Sequence, residues 1–158
     1  MIPLIEWHPM AVHFPLALVI TGTLALSAAC VMPLQRWSSL LATVGTWNLC
    51  LGAVGALLAL ATGLAAIVGL ELAGAARAAV ALHVKWAVLT SVLLLLLAVW
   101  RGAGQVAAAR PSRLFLVLLW MMTAALIITG YRGGENVYRY GIGVSALRGP
   151  TEPPRSPP

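Results

Sequence analysis

Apolar positions in this chain gather into four long runs, at residues 10–32, 39–69, 80–100 and 112–130, with short polar breaks between them. A hydrocarbon core about 30 Å thick is crossed by roughly 20 apolar residues in helix, so each run predicts one membrane span. The second run is longer than a perpendicular crossing requires and is expected to tilt. Pro33, Gln35 and Arg36 part the first two runs, Glu71 to Arg77 the next two, and Arg101 to Arg113 the last two. Breaks this short join antiparallel neighbours, which predicts an all-α fold, an integral membrane four-helix up-down bundle. Gly55, Ala59 and Gly63 recur every fourth residue of the second run. Such a small-residue face lets another helix approach closely, from the same bundle, a partner subunit or a second copy.

After the fourth run, residues 132–144 are too polar and too rich in glycine to span, and are expected to lie on the outer face as a lid. The transmembrane domain is thus expected over residues 1–148. Prolines among Thr, Glu, Arg and Ser predict a disordered tail over residues 149–158.

Composition settles the class: 158 residues, 61% hydrophobic and 9% charged, are too apolar for a water-soluble domain. The first residues lack the basic start and cleavage site of a signal peptide, so the first run is expected to remain as a span. A formal charge of +6 would suggest nucleic acid in a soluble protein. Here the basic residues are scattered over loops and tail, where they face lipid headgroups; no nucleic-acid partner is expected. Arg36, Arg101, Arg110 and Arg113 crowd the first and third loops without an acid. The positive-inside rule makes that side cytoplasmic and puts both termini outside, although Arg77, Lys85, Arg132 and Arg139 reduce the asymmetry. Trp7, Trp86 and Tyr131 near one boundary, and Trp37 and Trp100 near the other, fit aromatic belts.

The chemistry rests on three histidines, His8, His13 and His83, which begin on the same outer side. A histidine inside a span marks a functional site unless it meets a partner. Pro9 suits the first turn of a helix, and Pro15 leaves a carbonyl free that could hold an imidazole N–H. His13 and His83 lie deepest and form the expected axial pair for a b-type haem, or the ligands of a zinc or copper ion. His8, at the boundary, is expected to matter less. Arg77, Arg132 and Arg139 are placed to pair with haem propionates, and Tyr140 to hydrogen-bond the site. Without a cofactor, the same histidines would bond each other, the freed carbonyl or the lid and fix the bundle. Cys30 and Cys50 lie in apolar runs with no CxxCH, which excludes haem attachment by that motif. Four acids, none mid-span, argue against hydrolase chemistry, and the glycines at Gly141 and Gly143 have no strand before them to form a nucleotide site.

The run His8-Pro9-Met10-Ala11-Val12-His13-Phe14-Pro15, then His83, then Gly133-Gly134-Glu135-Asn136-Val137-Tyr138 leading to Gly141-Ile142-Gly143-Val144, resembles the DUF2231 family of small bacterial membrane proteins. The resemblance implies membrane redox work beside cytochrome c or Rieske-type modules, in the bacterial inner membrane. It differs at Tyr140, where the family often has His, and near Glu71, where it often has Asp. With Tyr140, a fourth histidine for a second haem is missing. The expected function is electron transfer through one haem b near the periplasmic face, from a membrane donor such as quinol, with quinone as a further cofactor, to a periplasmic cytochrome. The alternatives are a non-catalytic structural or assembly subunit of a larger membrane complex, and a metal-handling protein.

Overall fold

The computed structural model describes residues 4–68, 70–103 and 109–144. The tail expected over residues 149–158 lies outside the described residues. Four helices follow one another: α1 Leu4–Val31, α2 Gln35–Ile67, α3 Gly74–Ala103 and α4 Arg113–Tyr138. All four are long and apolar enough to cross a membrane. Contacts run α1–α2, α2–α3, α3–α4 and α4–α1, so the bundle is a ring in which α1 stands diagonally opposite α3. Large apolar side chains such as Trp47, Leu58, Leu96 and Met121 are exposed on its outside, where lipid is the solvent. Val19, Leu26, Leu49, Leu94, Leu119 and Met122 fill the core.

The expected small-residue face receives α1. A Cβ on Gly45 would stand 2.7 Å from Leu26 Cγ and 2.9 Å from the Gly22 carbonyl; one on Gly55 would stand 3.3 Å from Pro15 Cδ. Burial of hydrophobic area does not drive association in lipid, so close backbone packing and hydrogen bonds between helices take its place. Each interface of the ring carries such a bond. Asn48 Nδ2 donates to Thr21 Oγ1 at 3.1 Å between α1 and α2. Arg101 Nε donates to Thr46 Oγ1 at 3.1 Å between α2 and α3. The Thr90 and Thr129 hydroxyls lie 3.4 Å apart between α3 and α4. The Thr23 and Thr123 hydroxyls pair at 2.9 Å between α4 and α1.

Helix ends differ from the hydropathy pattern: α2 begins at Gln35 rather than residue 39, α3 at Gly74 rather than residue 80, and two further differences bear on the site. α1 begins at Leu4 rather than residue 10, which puts Pro9 inside the helix instead of at its first turn. α4 continues through Gly133 and Gly134 to Tyr138, so the expected lid is mostly helix. Glu135 holds this last stretch, accepting from Arg132 at 2.9 Å and pairing with Arg139 at 3.2 Å, at helical spacings. The helix then closes on a left-handed glycine: Gly141, at φ +65°, donates its N–H to the Val137 carbonyl at 3.0 Å.

Candidate functional site

His8 and His83 face each other across the diagonal of the bundle, with ring centroids 6.3 Å apart and planes at 73°. The two rings are docked alike. His8 Nδ1–H, on α1, donates to the Ala59 carbonyl of α2 at 2.9 Å. A Cβ on Gly63, four residues on, would stand 2.8 Å from His8 Cε1. His83 Nδ1–H, on α3, donates to the Thr129 carbonyl of α4 at 3.1 Å. A Cβ on Gly133, again four residues on, would stand 3.1 Å from His83 Cε1. A helix carbonyl points toward residue i+4, so a side-on ring reaches it most easily where residue i+4 has no side chain. Each helical hairpin thus supplies a histidine from near the start of its first helix and a carbonyl-plus-glycine seat from its second.

With Nδ1–H committed to a carbonyl, a neutral ring carries its lone pair on Nε2. Among the described residues no hydrogen bond reaches Nε2 of either ring. Among the described residues the fully buried side-chain polar atoms without a partner are Arg132 Nε and Asn136 Oδ1, so both Nε2 atoms keep accessible surface.

His13, expected as the partner of His83, is elsewhere. It is exposed and its Nδ1–H bonds back to the Pro9 carbonyl at 2.6 Å, within its own helix. That is not the carbonyl freed by Pro15, which belongs to Ala11 in the regular i−4 pattern. Five residues separate His8 from His13, a rotation of about 140° around a helix, so the two cannot share a face. The pair brought together is therefore His8 with His83, and the deeper histidine points outward.

The remaining candidates lie at the same end of the bundle. Arg132, Asn136, Arg139 and Tyr140 of the α4 end line a cleft of about 280 Å³ whose other wall is Ala75, Ala78, Ala79 and Leu82 of α3. Arg132 and Arg139 share Glu135, which commits much of their charge. Asn136 is only 7% exposed. Arg77, in the first turns of α3, and Glu71, before it, are exposed and outside this cleft. Among the described residues no group of three or more His, Cys, Asp or Glu could hold a metal ion.

Residues 4–146 match the sequence model of a family described as a predicted membrane protein, DUF2231. The chain belongs to the DUF2231 family. No curated protein and no solved structure matches it. In this DUF2231 protein the matched stretch contains both halves of the histidine site, from His8 through Gly133 and Asn136. Sequence reasoning missed Gly63 and Gly133 as seats and Ala59 and Thr129 as acceptors, and it gave Asn136 no place in the cleft. A signal was present in the spacing Ala59 to Gly63 and Thr129 to Gly133, one late in each hairpin's second helix.

Proposed function

We propose that this DUF2231 protein is a membrane electron-transfer protein that holds one b-type haem with His8 and His83. The observation that carries the reading is the pair of docked imidazoles, each with Nδ1 held by a carbonyl and Nε2 unbonded, presented from diagonal helices. Carbonyl-held Nδ1–H is the usual second-shell arrangement of a ligating histidine, because it fixes the tautomer and raises the basicity of Nε2. Two donors without a third suit a group whose macrocycle supplies the other four ligands better than a bare zinc or copper ion. Such a group supplies one-electron transfer. The chain's own part is to orient the two Nε2 atoms, to surround them with apolar helix, and to offer exposed Arg77 to carboxylates at the outer rim. A quinol donor in the membrane and a periplasmic cytochrome as acceptor complete the reading.

The test is a reduced-minus-oxidised visible spectrum of protein produced with haem supplied. Low-spin bis-histidine Soret and α bands are expected, lost in His8→Ala and in His83→Ala and kept in His13→Ala. A flat spectrum from the unmodified protein would remove the proposal.

A second reading is favoured by the seats themselves. The glycines close on the rings and the carbonyl bonds tie α1 to α2 and α3 to α4, which is a finished fastening without any cofactor. In that reading the protein is a structural or assembly subunit of a membrane complex.

For orientation, the acid-free basic loops carrying Arg36, Arg101, Arg110 and Arg113 support a cytoplasmic position for that end in the bacterial inner membrane. Both termini and the histidine pair are then periplasmic. An alkaline phosphatase fused after Val144 should be active; an inactive phosphatase with a bright cytoplasmic fluorescent fusion reverses the orientation.

A further inference from the structure

The cleft of about 280 Å³ between the start of α3 and the end of α4 holds neither imidazole, yet it carries an amide with nothing to bind. Asn136 lines it and is only 7% exposed. Burying a polar group costs free energy unless it is hydrogen-bonded. Among the described residues neither end of this side chain has a partner: Oδ1 is fully covered, and Nδ2, which no hydrogen bond reaches, keeps accessible surface. The backbone of the same residue is well used, its carbonyl accepting the Ile142 N–H at 3.0 Å. The fold thus places Asn136 firmly and leaves its amide over.

The walls restrict what the amide can meet. Ala75, Ala78 and Ala79, with Leu82, make the α3 side apolar and low in relief, a surface against which a flat ring packs. Arg132 and Arg139 both bond Glu135, and that carboxylate, on the same wall, repels an anion. A helix from another chain, about 10 Å across, is too wide for the space. Leu82 is 39% exposed and opens the cleft to the lipid side. An apolar slot with one orienting polar group is the common form of a small-molecule site.

We propose that this cleft binds the ring of a quinone and of its quinol. Nδ2 donates to a ring carbonyl of the quinone; after a half-turn of the amide, Oδ1 accepts from a hydroxyl of the quinol. One side chain therefore serves both redox forms. Tyr140, also in the cleft, serves the second ring oxygen, and the apolar tail leaves past Leu82. A water molecule suits the amide equally well but, at about 30 Å³, fills only a small part of the space. Asn136 lies three residues beyond Gly133, on which the His83 ring rests, a rise of about 4.5 Å along α4. The purpose of the site rests on the electron-transfer reading, whereas the binding itself needs no haem.

The experiment is isothermal titration of the full chain in mild detergent with decylubiquinone and with its quinol, against protein-free micelles. Saturable binding of one ring per chain is expected for both. Asn136→Leu should weaken it about tenfold, the worth of one hydrogen bond in a desolvated site. It should also melt no lower than the unmodified protein, because an unpaired buried amide gives way to an apolar side chain of similar size. Asn48→Leu should do the reverse, melting lower and binding as before, because that amide is bonded to Thr21 and lies outside the cleft. Absence of saturable binding to the unmodified protein overturns the proposal, and this arm needs no variant to fold. So does an Asn136→Leu that binds as before, or one that melts well below the unmodified protein, which would make the amide a structural group. Displacement by decyl phosphate overturns the ring as the ligand in favour of an anion. Ring binding by a protein with a flat haem spectrum supports the site and removes only the electron-transfer reading; a haem spectrum without ring binding removes the site and keeps that reading.

Discussion

Gly45→Val is expected to prevent α1 from seating on α2 and to lower stability by more than about 3 kcal/mol, the upper end of ordinary overpacking. The first added atom would already stand 2.7 Å from Leu26 Cγ, 2.9 Å from the Gly22 carbonyl and 3.0 Å from the Leu26 amide. Two of those neighbours are backbone and cannot swing aside. Relief requires the helices to separate, which also weakens the Asn48–Thr21 bond and the contact of Gly52 with Val19. Gly130→Ala is the control. Nothing lies within 4 Å of its position, and alanine is the better helix former by about 1 kcal/mol. Thermal unfolding in detergent, followed by near-ultraviolet circular dichroism, should show a large loss for Gly45→Val and none for Gly130→Ala. Equal melting of the two variants would mean that the α1–α2 interface is looser than described.

The contrast between these glycines shows what hydropathy can and cannot reveal. Four spans are legible because about 20 apolar residues must be kept from water, whatever their packing. Helix ends are not, because hydropathy reports the thickness of the apolar layer and a helix can run past it. Gly133 and Gly134 read as a break, yet α4 continues because the Arg132–Glu135–Arg139 ion pairs brace its last turns. Gly133 is also where the ring of His83 rests. Starting the first helix at residue 10 left His8 outside it and made His13 look like the buried histidine. Begun at Leu4, the helix puts His8 in heptad register with buried Pro15 and close-packed Gly22, while His13 turns outward. The face was therefore readable from that register once the helix start was known. The carbonyl seats left only the glycine four residues after each acceptor, Gly63 and Gly133, which reads as ordinary close packing until the ring that rests there is known.

Asparagine at positions 8 and 83 should separate the two readings of the histidine pair. A side-chain amide places its N–H donor near the position of imidazole Nδ1 and has nothing at the position of Nε2. His8→Asn and His83→Asn therefore keep a donor for the Ala59 and Thr129 carbonyls and remove the Nε2 lone pair. Stability should stay within about 1 kcal/mol of the unmodified protein, the net value of one such hydrogen bond. Glutamine does the reverse: it reaches toward the Nε2 position and leaves the carbonyl unanswered, so it should melt lower than asparagine. If the pair ligates a haem, either asparagine variant loses the low-spin spectrum while remaining folded, a separation of binding from stability that a fastening cannot produce. If the pair only fastens helices, the asparagine variants match the unmodified protein in melting and in assembly with any partner, and no haem spectrum exists to lose. An asparagine variant that kept a low-spin spectrum would move the ligands away from His8 and His83 altogether, with His13 the remaining histidine to test.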